Sequence, residues 1–221
     1  MIIPWNLFKT ILVKSFPLLI NEFLWAAGVA TITQCYARRG LDVVAANNIS
    51  GTMTNLFSVI YIQLGCCISI IVGQKLGAGL LEEAKDLDNK LIFFCVGACA
   101  IVSVIMLPIA KIFPYLYKTE PEIRSLATYL ISVTALVMPL WSFAHCAYFT
   151  LRSGGKTWVT FLFDSVYSWG FTIPIAASIA IFTTMPIRPF FFLVSISEIV
   201  KTIIGYFMVK SDVWLKNIVN E

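Results

Sequence analysis

The chain has 221 residues, of which 59% are hydrophobic and only 13% charged, and its mean hydropathy is +0.85. Soluble domains carry about 25% charged residues because their surfaces face water, so this composition excludes a soluble domain and indicates an integral membrane protein in contact with the lipid bilayer. The formal charge of +4 comes from scattered lysines and arginines without a basic run. We therefore expect no nucleic-acid partner.

Six segments are apolar over the length of about 20 residues that a membrane-spanning helix requires. They predict an all-α integral membrane fold, with spans at approximately 15–36, 43–72, 91–113, 123–151, 158–182 and 190–209. Residues 1–14 carry apolar side chains at helical spacing among lysines, which predicts an amphipathic helix at the interface. The polar stretch 73–90 is predicted to be a solvent-facing loop with a helical start, and residues 210–221 are predicted to be a cytoplasmic tail. Six spans place both termini on one side, and a modest excess of basic residues there predicts cytoplasmic termini.

The spans contain few ionisable side chains, and a carboxylate at the centre of a bilayer costs roughly 2.5–3.5 kcal/mol by insertion scales. Glu22 follows Asn21 in the first span, with Trp25 one turn further on. We interpret Glu22, with Asn21 and Trp25 beside it, as a site that binds a cation or exchanges a proton in a hydrated cavity. A structural hydrogen bond from Glu22 to a neighbouring helix is the alternative.

The remaining polar residues of the spans allow weaker predictions. Glu198 and Lys201 are three positions apart on one helix, so they are expected to form a structural ion pair. Asp164 either pairs with Arg152 or Lys156 near the headgroups or lines a cavity. Other weak cavity candidates are His145, Tyr148 and Tyr167, although a lone histidine in an apolar helix is more often simply hydrogen-bonded in place.

Enzymatic and metal chemistry are not expected. The six cysteines lie in apolar segments with spacings that suit neither a disulfide framework nor a zinc site, so they are predicted to pack as apolar side chains. The segment SGGKT at 153–157 resembles the end of a phosphate-binding loop, but Thr150 stands where that motif requires glycine. Without an ATPase motif or a cofactor, any transport must be driven by an ion gradient or by a partner.

Five stretches, in order along nearly the whole chain, resemble the multidrug and toxic compound extrusion (MATE) family. The resemblance is to the C-terminal half of its bacterial, DinF-like members. The matching pieces are PLLINEFLWAAG, VGQKLGAGLLEEAK, LRSGGKT, FDSVYSWGFTIP and EIVKTIIGYFMVKSDVWLKNIV. The resemblance implies one six-helix lobe of a two-lobe secondary transporter in a bacterial inner membrane.

The resemblance also implies an activity: exchange of cationic or amphipathic drugs for protons or sodium ions. Glu22 matches the acidic position of the family's seventh helix, which is implicated in binding cations or substrates. Sodium-coupled members carry an aspartate in the tenth helix, where this chain has no carboxylate and places Trp141 nearby, so sodium coupling of that type is not expected. The proton-coupling aspartate of DinF-like members resembles a residue of the first helix of the other lobe.

A single lobe cannot close a two-lobe cavity, so we expect an N-terminal lobe or a second copy as partner. A split-gene product, a truncated reading frame or an engineered fragment would each yield such a sequence. One alternative function is a flippase for lipid-linked saccharides, although such cavities usually carry arginine and lysine, and away from their ends the spans here contain only Lys201. Another is a non-transporting membrane protein that only associates with a full-length transporter.

Overall fold

A computed structural model describes residues 5–215. All of the regular secondary structure within these residues is helical. The α-helices are α1 Trp5–Ala37, α2 Leu41–Gly77, α3 Leu81–Ile112, α4 Pro121–Ser153, α5 Thr157–Phe161, α6 Ile173–Phe182 and α7 Ile187–Lys210. A short 3₁₀ helix, Phe113–Leu116, follows α3, and two π-helical segments, Leu162–Val166 and Ser168–Thr172, lie between α5 and α6. The stretch from α5 to α6 therefore forms one span, Thr157–Phe182.

Six helices in the described residues are long and apolar enough to cross a membrane. This confirms the predicted all-α membrane fold and the number of spans. The helices extend beyond the apolar segments: the polar stretch 73–90 is helical except for residues 78–80, because its leucines, lysines, glutamates and alanines favour helix. Residues 5–14 likewise continue into the first span as a single helix, while residues 1–4 and 216–221 lie outside the described residues.

Short connections between successive helices arrange the spans as an antiparallel bundle. We call the end that contains connections 78–80 and 154–156 the near end, and the end that contains 38–40, 117–120 and 183–186 the far end. Gly79 and Gly155, with φ of +77° and +71°, make the turns at the near end in a backbone conformation that glycine tolerates best.

Helix α4 is the centre of the bundle and packs against α2, α3 and α7. Half of the most apolar stretch of α4 is buried, whereas only 17% of the corresponding stretch of the first span is buried. The first span lies at the edge of the bundle, beside α2 and the fifth span. The edge position of α1 matters for the site, because one side of this helix faces the bundle and the other is uncovered.

Hydrogen bonds and packing tie both ends of the bundle together. At the far end, the Arg39 guanidinium donates to the carbonyls of Ile179, Thr183 and Met185 at 2.8–3.0 Å, which ties the connection 38–40 to the end of α6 and the residues that follow it. At the near end, Trp214 is buried against Gly154, and Asp212 pairs with Lys85.

Candidate functional site

The centre of the candidate site is an ion pair between the fifth span and α7. Lys201 Nζ donates to Asp164 Oδ1 at 2.7 Å, and only 11% of the lysine side chain and 14% of the aspartate side chain are exposed. The ammonium group also lies 5.6 Å from the ring centre of Phe163 and 6.0 Å from that of Tyr167, within cation–π range. Pairing in such a position is what makes two buried charges tolerable.

Asn21 of α1 completes the coordination of the aspartate. Its side-chain nitrogen donates to Asp164 Oδ2 at 3.0 Å and to the Tyr148 hydroxyl at 3.3 Å, and its oxygen accepts from Ser165 Oγ at 2.6 Å. The asparagine is 1% exposed, so all of these bonds form away from solvent. Four spans, α1, α4, the fifth span and α7, thus meet in one polar cluster, which we define as Asn21, Tyr148, Asp164, Ser165 and Lys201.

The backbone around this cluster is irregular. Asp164 and Ser165 lie in the π-helical segment Leu162–Val166, and a second π-helical segment begins at Ser168. A π-helical turn widens the helix and shifts its side chains, and such turns are frequent at functional sites. Trp169, in the second segment, donates from its indole nitrogen to the carbonyl of Leu24 at 3.0 Å, which holds the irregular stretch against α1.

The structure separates the three residues of the predicted first-span site. Asn21 points into the bundle, whereas Glu22 and Trp25 are exposed on the surface, Trp25 to 49%. Successive residues on an α-helix are about 100° apart, so Glu22 cannot share the inward direction of its neighbour. Glu22 and Trp25, three positions apart, lie instead on the uncovered side of α1.

The predicted ion pair between Glu198 and Lys201 is wrong, because the described residues place the ammonium group on Asp164 instead. Glu198 accepts a long hydrogen bond of 3.4 Å from Thr172. The alternative pairing of Asp164 with Arg152 or Lys156 is corrected in the same way. Spacing on one helix predicted a local partner, but Lys201 extends toward the fifth span, where the carboxylate offers better geometry.

The other weak candidates lie around the cluster but form different bonds. His145 Nδ1 lies 3.0 Å from the carbonyl of Trp141, one turn earlier, and the imidazole contacts the Tyr61 ring edge-on at 4.8 Å. Tyr167 donates to the carbonyl of Ser197 at 2.7 Å. The geometry of His145 is therefore that of a histidine hydrogen-bonded in place, which was the alternative to a cavity role.

Sequence reasoning missed two buried polar residues, Ser165 and Asp88. Ser165 is part of the cluster, yet a serine in an apolar helix gave no distinguishing signal. Asp88 is 1% exposed and accepts a hydrogen bond from Thr150 at 2.7 Å, while its second oxygen has no partner among residues 5–215. Asp88 was obscured because it belongs to the most polar stretch of the chain, where acidic residues are expected to face solvent.

Asp164 is the acid of the polar cluster, and a carboxylate is a group that can take up a proton or bind a cation. Protonation of Asp164, or its binding of a cation, would remove the reason for Lys201 to stay at 2.7 Å and would change the acceptor available to Asn21. Because the cluster joins four spans, such an event would alter how α1 and α7 pack on the fifth span. The described residues contain no group of three or more metal-ligating side chains arranged to hold a metal ion.

Parts of the chain are similar to curated multidrug transport proteins. The chain is 27% identical over 144 residues to the multidrug resistance protein PmpM of Pseudomonas aeruginosa, which covers 64% of this chain and 30% of that protein. It is 31% identical over 139 residues to multidrug and toxin extrusion protein 1 of Xenopus tropicalis, with 61% and 24% coverage. The chain thus spans about a third or less of these curated relatives.

Solved structures share the fold. A MATE protein crystallised in complex with MaL6 superposes with a TM-score of 0.84 at 13% identity, covering 96% of this chain and 48% of that one. A MOP superfamily transporter from Pyrococcus furiosus gives a TM-score of 0.81 at 16% identity, with 95% and 47% coverage. The present bundle therefore has the fold of about half of each of these chains. The MatE family model matches residues 17–178, and this multi-pass membrane chain belongs to that family of transporters rather than to an enzyme family.

Proposed function

We propose that the chain is the C-terminal six-helix lobe of an efflux antiporter that exports cationic or amphipathic compounds in exchange for protons or sodium ions. Family membership and the names of the multidrug relatives support transport of this kind. Coverage of about half of each solved neighbour supports the interpretation as one lobe. The partner is an N-terminal lobe or a second copy of the chain.

The observation that carries the proposal is the buried polar cluster directly behind Glu22. Glu22 is exposed on α1, whereas the preceding residue, Asn21, is bonded to Asp164. A carboxylate is costly against lipid, so the uncovered side of α1 with Glu22 and Trp25 is best placed against the other lobe. There, Glu22 attracts a cationic substrate and Trp25 offers an aromatic face to it.

The coupling step uses Asp164 as the group that takes up the proton or cation. With Asp164 ionised, Lys201 and Asn21 hold the fifth span to α7 and α1. Once Asp164 is neutralised, Lys201 loses its partner, and the π-helical turns at Leu162–Val166 give the span room to adjust. Movement of Asn21 shifts the neighbouring Glu22, which links the interior cluster to the substrate-facing surface.

The test is ethidium binding and transport by the full chain. Fluorescence of ethidium added to the protein in micelles reports binding, and proteoliposomes with an imposed pH or sodium gradient report flux, with and without a co-reconstituted six-helix partner lobe. We expect Glu22→Gln to weaken binding and flux at least about tenfold, the loss typical of a charge-assisted contact. Unchanged binding and flux in Glu22→Gln would refute the site.

A matched control is Glu82→Gln, since Glu82 is an exposed acid in the first turn of α3, away from α1. This variant should behave as wild type. Tight binding of a lipid-linked pyrophosphate in place of ethidium would favour the flippase alternative. Co-purification with an intact transporter, without flux in any pairing, would favour the non-transporting alternative.

We further propose a bacterial inner-membrane location with the near end in the cytoplasm. The basic-residue bias supports this orientation. Fusion of a reporter that fluoresces only in the cytoplasm after residue 221 tests it, and fluorescence from the intact fusion is the expected result. A signal only from a periplasmic reporter would reverse the orientation.

A further inference from the structure

A basic cavity opens at the far end of the bundle, away from the polar cluster. Its volume is about 580 Å³, and it lies between the end of α3 and the start of α4. The lining residues are Lys111, Tyr115, Pro121, Arg124, Ser125 and Thr128. Every ionisable side chain in this lining is basic or phenolic, so the cavity has the polarity of an anion site.

A third cation reaches the cavity from α7. Arg188 Nη2 donates to Ser125 Oγ at 2.9 Å, which brings its guanidinium group to the wall formed by α4. The three cationic residues therefore come from three different helices. Such convergence is a property of the folded bundle, since the residues are separated by up to 77 positions in the chain.

No acid among the described residues forms an ion pair with these cations. Within residues 5–215, none of the salt bridges involves Lys111, Arg124 or Arg188. The nearby acids, Glu120 and Glu122, are exposed and do not line the cavity. The positive charge is thus available to a ligand.

Arg124 has an unused hydrogen-bond donor. Its guanidinium group lies over the Tyr115 ring at 5.4 Å, while Nε is buried and has no acceptor among the described residues. Buried donors normally have partners, and a guanidinium fork is well suited to the oxygens of a phosphate or carboxylate. The start of α4 at Pro121 adds the positive end of a helix dipole at the same place.

The surface leading to the cavity is apolar. On α3, the residues Ile101, Val104, Ile105 and Ile112 are 51–68% exposed and recur at helical spacing, which forms one stripe that ends beside Lys111. Leu116, just beyond the stripe, is 75% exposed. A lipid with an anionic headgroup and apolar chains would match a cationic cavity at the end of an exposed apolar stripe. A free anion would make no contact with the stripe.

We propose that this cavity binds the phosphate headgroup of an anionic glycerophospholipid, whose acyl chains lie along the exposed stripe of α3. The site is separate from the proposed transport function and does not depend on it. Several cations from neighbouring helices beside an exposed apolar stripe are the features of basic pockets that bind anionic headgroups.

The test is lipid retention by the full chain in detergent micelles, measured by native mass spectrometry. Phosphatidylglycerol and phosphatidylcholine with identical acyl chains are compared, and inorganic phosphate is added in a separate arm. We expect phosphatidylglycerol to bind at least about tenfold more tightly than phosphatidylcholine, as charge-assisted contacts allow. Millimolar inorganic phosphate should displace little of it, because phosphate cannot occupy the stripe.

Two variants locate the site. Lys111→Gln alters an exposed side chain and should fold normally, and together with Arg124→Gln it should abolish the preference for phosphatidylglycerol. Lys118→Gln, an exposed lysine at the same end but outside the cavity lining, is the matched control and should keep the preference.

Equal retention of the two lipids would overturn the proposal. So would an equal loss of the preference in Lys118→Gln, which would indicate general surface charge, or full displacement by inorganic phosphate, which would indicate a free-anion site. If the double variant fails to fold, Lys111→Gln alone decides, with a partial loss supporting the site and no change contradicting it.

Discussion

Two buried aspartates at similar depth in the bundle have opposite surroundings. Asp88 lies seven residues after the start of α3, and Asp164 seven residues after the start of the fifth span, both counted from the near end. At 1.5 Å per residue each is about 10 Å from the start of its helix. Asp164 is bonded to a lysine and an asparagine, whereas Asp88 is bonded to one hydroxyl and keeps one oxygen unpartnered among the described residues.

The difference indicates that Asp164 holds the bundle together, whereas Asp88 adds little to its stability. A buried charge with a charged partner becomes indispensable, because removing either partner leaves the other unpaired in a poorly solvated place. A buried acid without a counter-charge gains little from being charged. The same substitution at the two positions should therefore have very different effects.

The largest effect is expected for Asp164→Asn. This change leaves the Lys201 ammonium group buried without its ion-pair partner, and it should lower the free energy of unfolding by about 3–5 kcal/mol. Chemical denaturation of the full chain in micelles measures the loss. A loss of less than about 1 kcal/mol would mean that the ion pair contributes little to the stability of the bundle.

A double variant separates the pair from the packing around it. Adding Lys201→Met to Asp164→Asn removes the stranded charge, so most of the lost free energy of unfolding should return, and the deviation from additivity measures the coupling. Strictly additive losses would show that each residue acts alone. Lys210→Met, at the exposed end of α7, is the control for loss of a lysine.

An intermediate effect is expected for Asn21→Ala. The change removes the amide that bonds Asp164, Tyr148 and Ser165, so it should lower the free energy of unfolding by about 2–3 kcal/mol, as for loss of buried bonds that include a charged acceptor. The same denaturation measurement checks it. Glu22→Gln, one residue on but exposed, should change stability by less than about 0.5 kcal/mol, and equal losses would remove the distinction between the two sides of α1.

The smallest effect is expected for Asp88→Asn. Asparagine keeps an oxygen for the Thr150 hydroxyl and removes a charge that has no counter-charge, so stability should stay within about 1 kcal/mol of wild type, with any change toward greater stability. A shift in the thermal midpoint under the same conditions as for Asp164→Asn provides the direct comparison. A loss as large as that at Asp164 would break the contrast and imply a hidden partner for the second oxygen.

Many residues of the candidate site could be predicted from the sequence, but the contacts between them could not. Asn21, Tyr148 and Asp164 each stood out because a polar side chain in an apolar helix is costly and needs a partner. Their contacts could not be predicted, since Asn21 is 127 and 143 positions from the other two. Lys201 illustrates the limit most clearly: spacing along one helix suggested Glu198, and the packing of α7 on the fifth span selected Asp164.

By itself, the sequence determined the class of the molecule and its six apolar spans, because a run of about 20 apolar residues is stable only as a helix in lipid. It also singled out the polar residues that the spans must accommodate. Only the tertiary structure decided which of them meet, which side of α1 faces inward, and where three cations from separate helices converge at the far end. These features depend on how each helix is rotated and packed, and no local sequence pattern specifies the distances between residues on different helices.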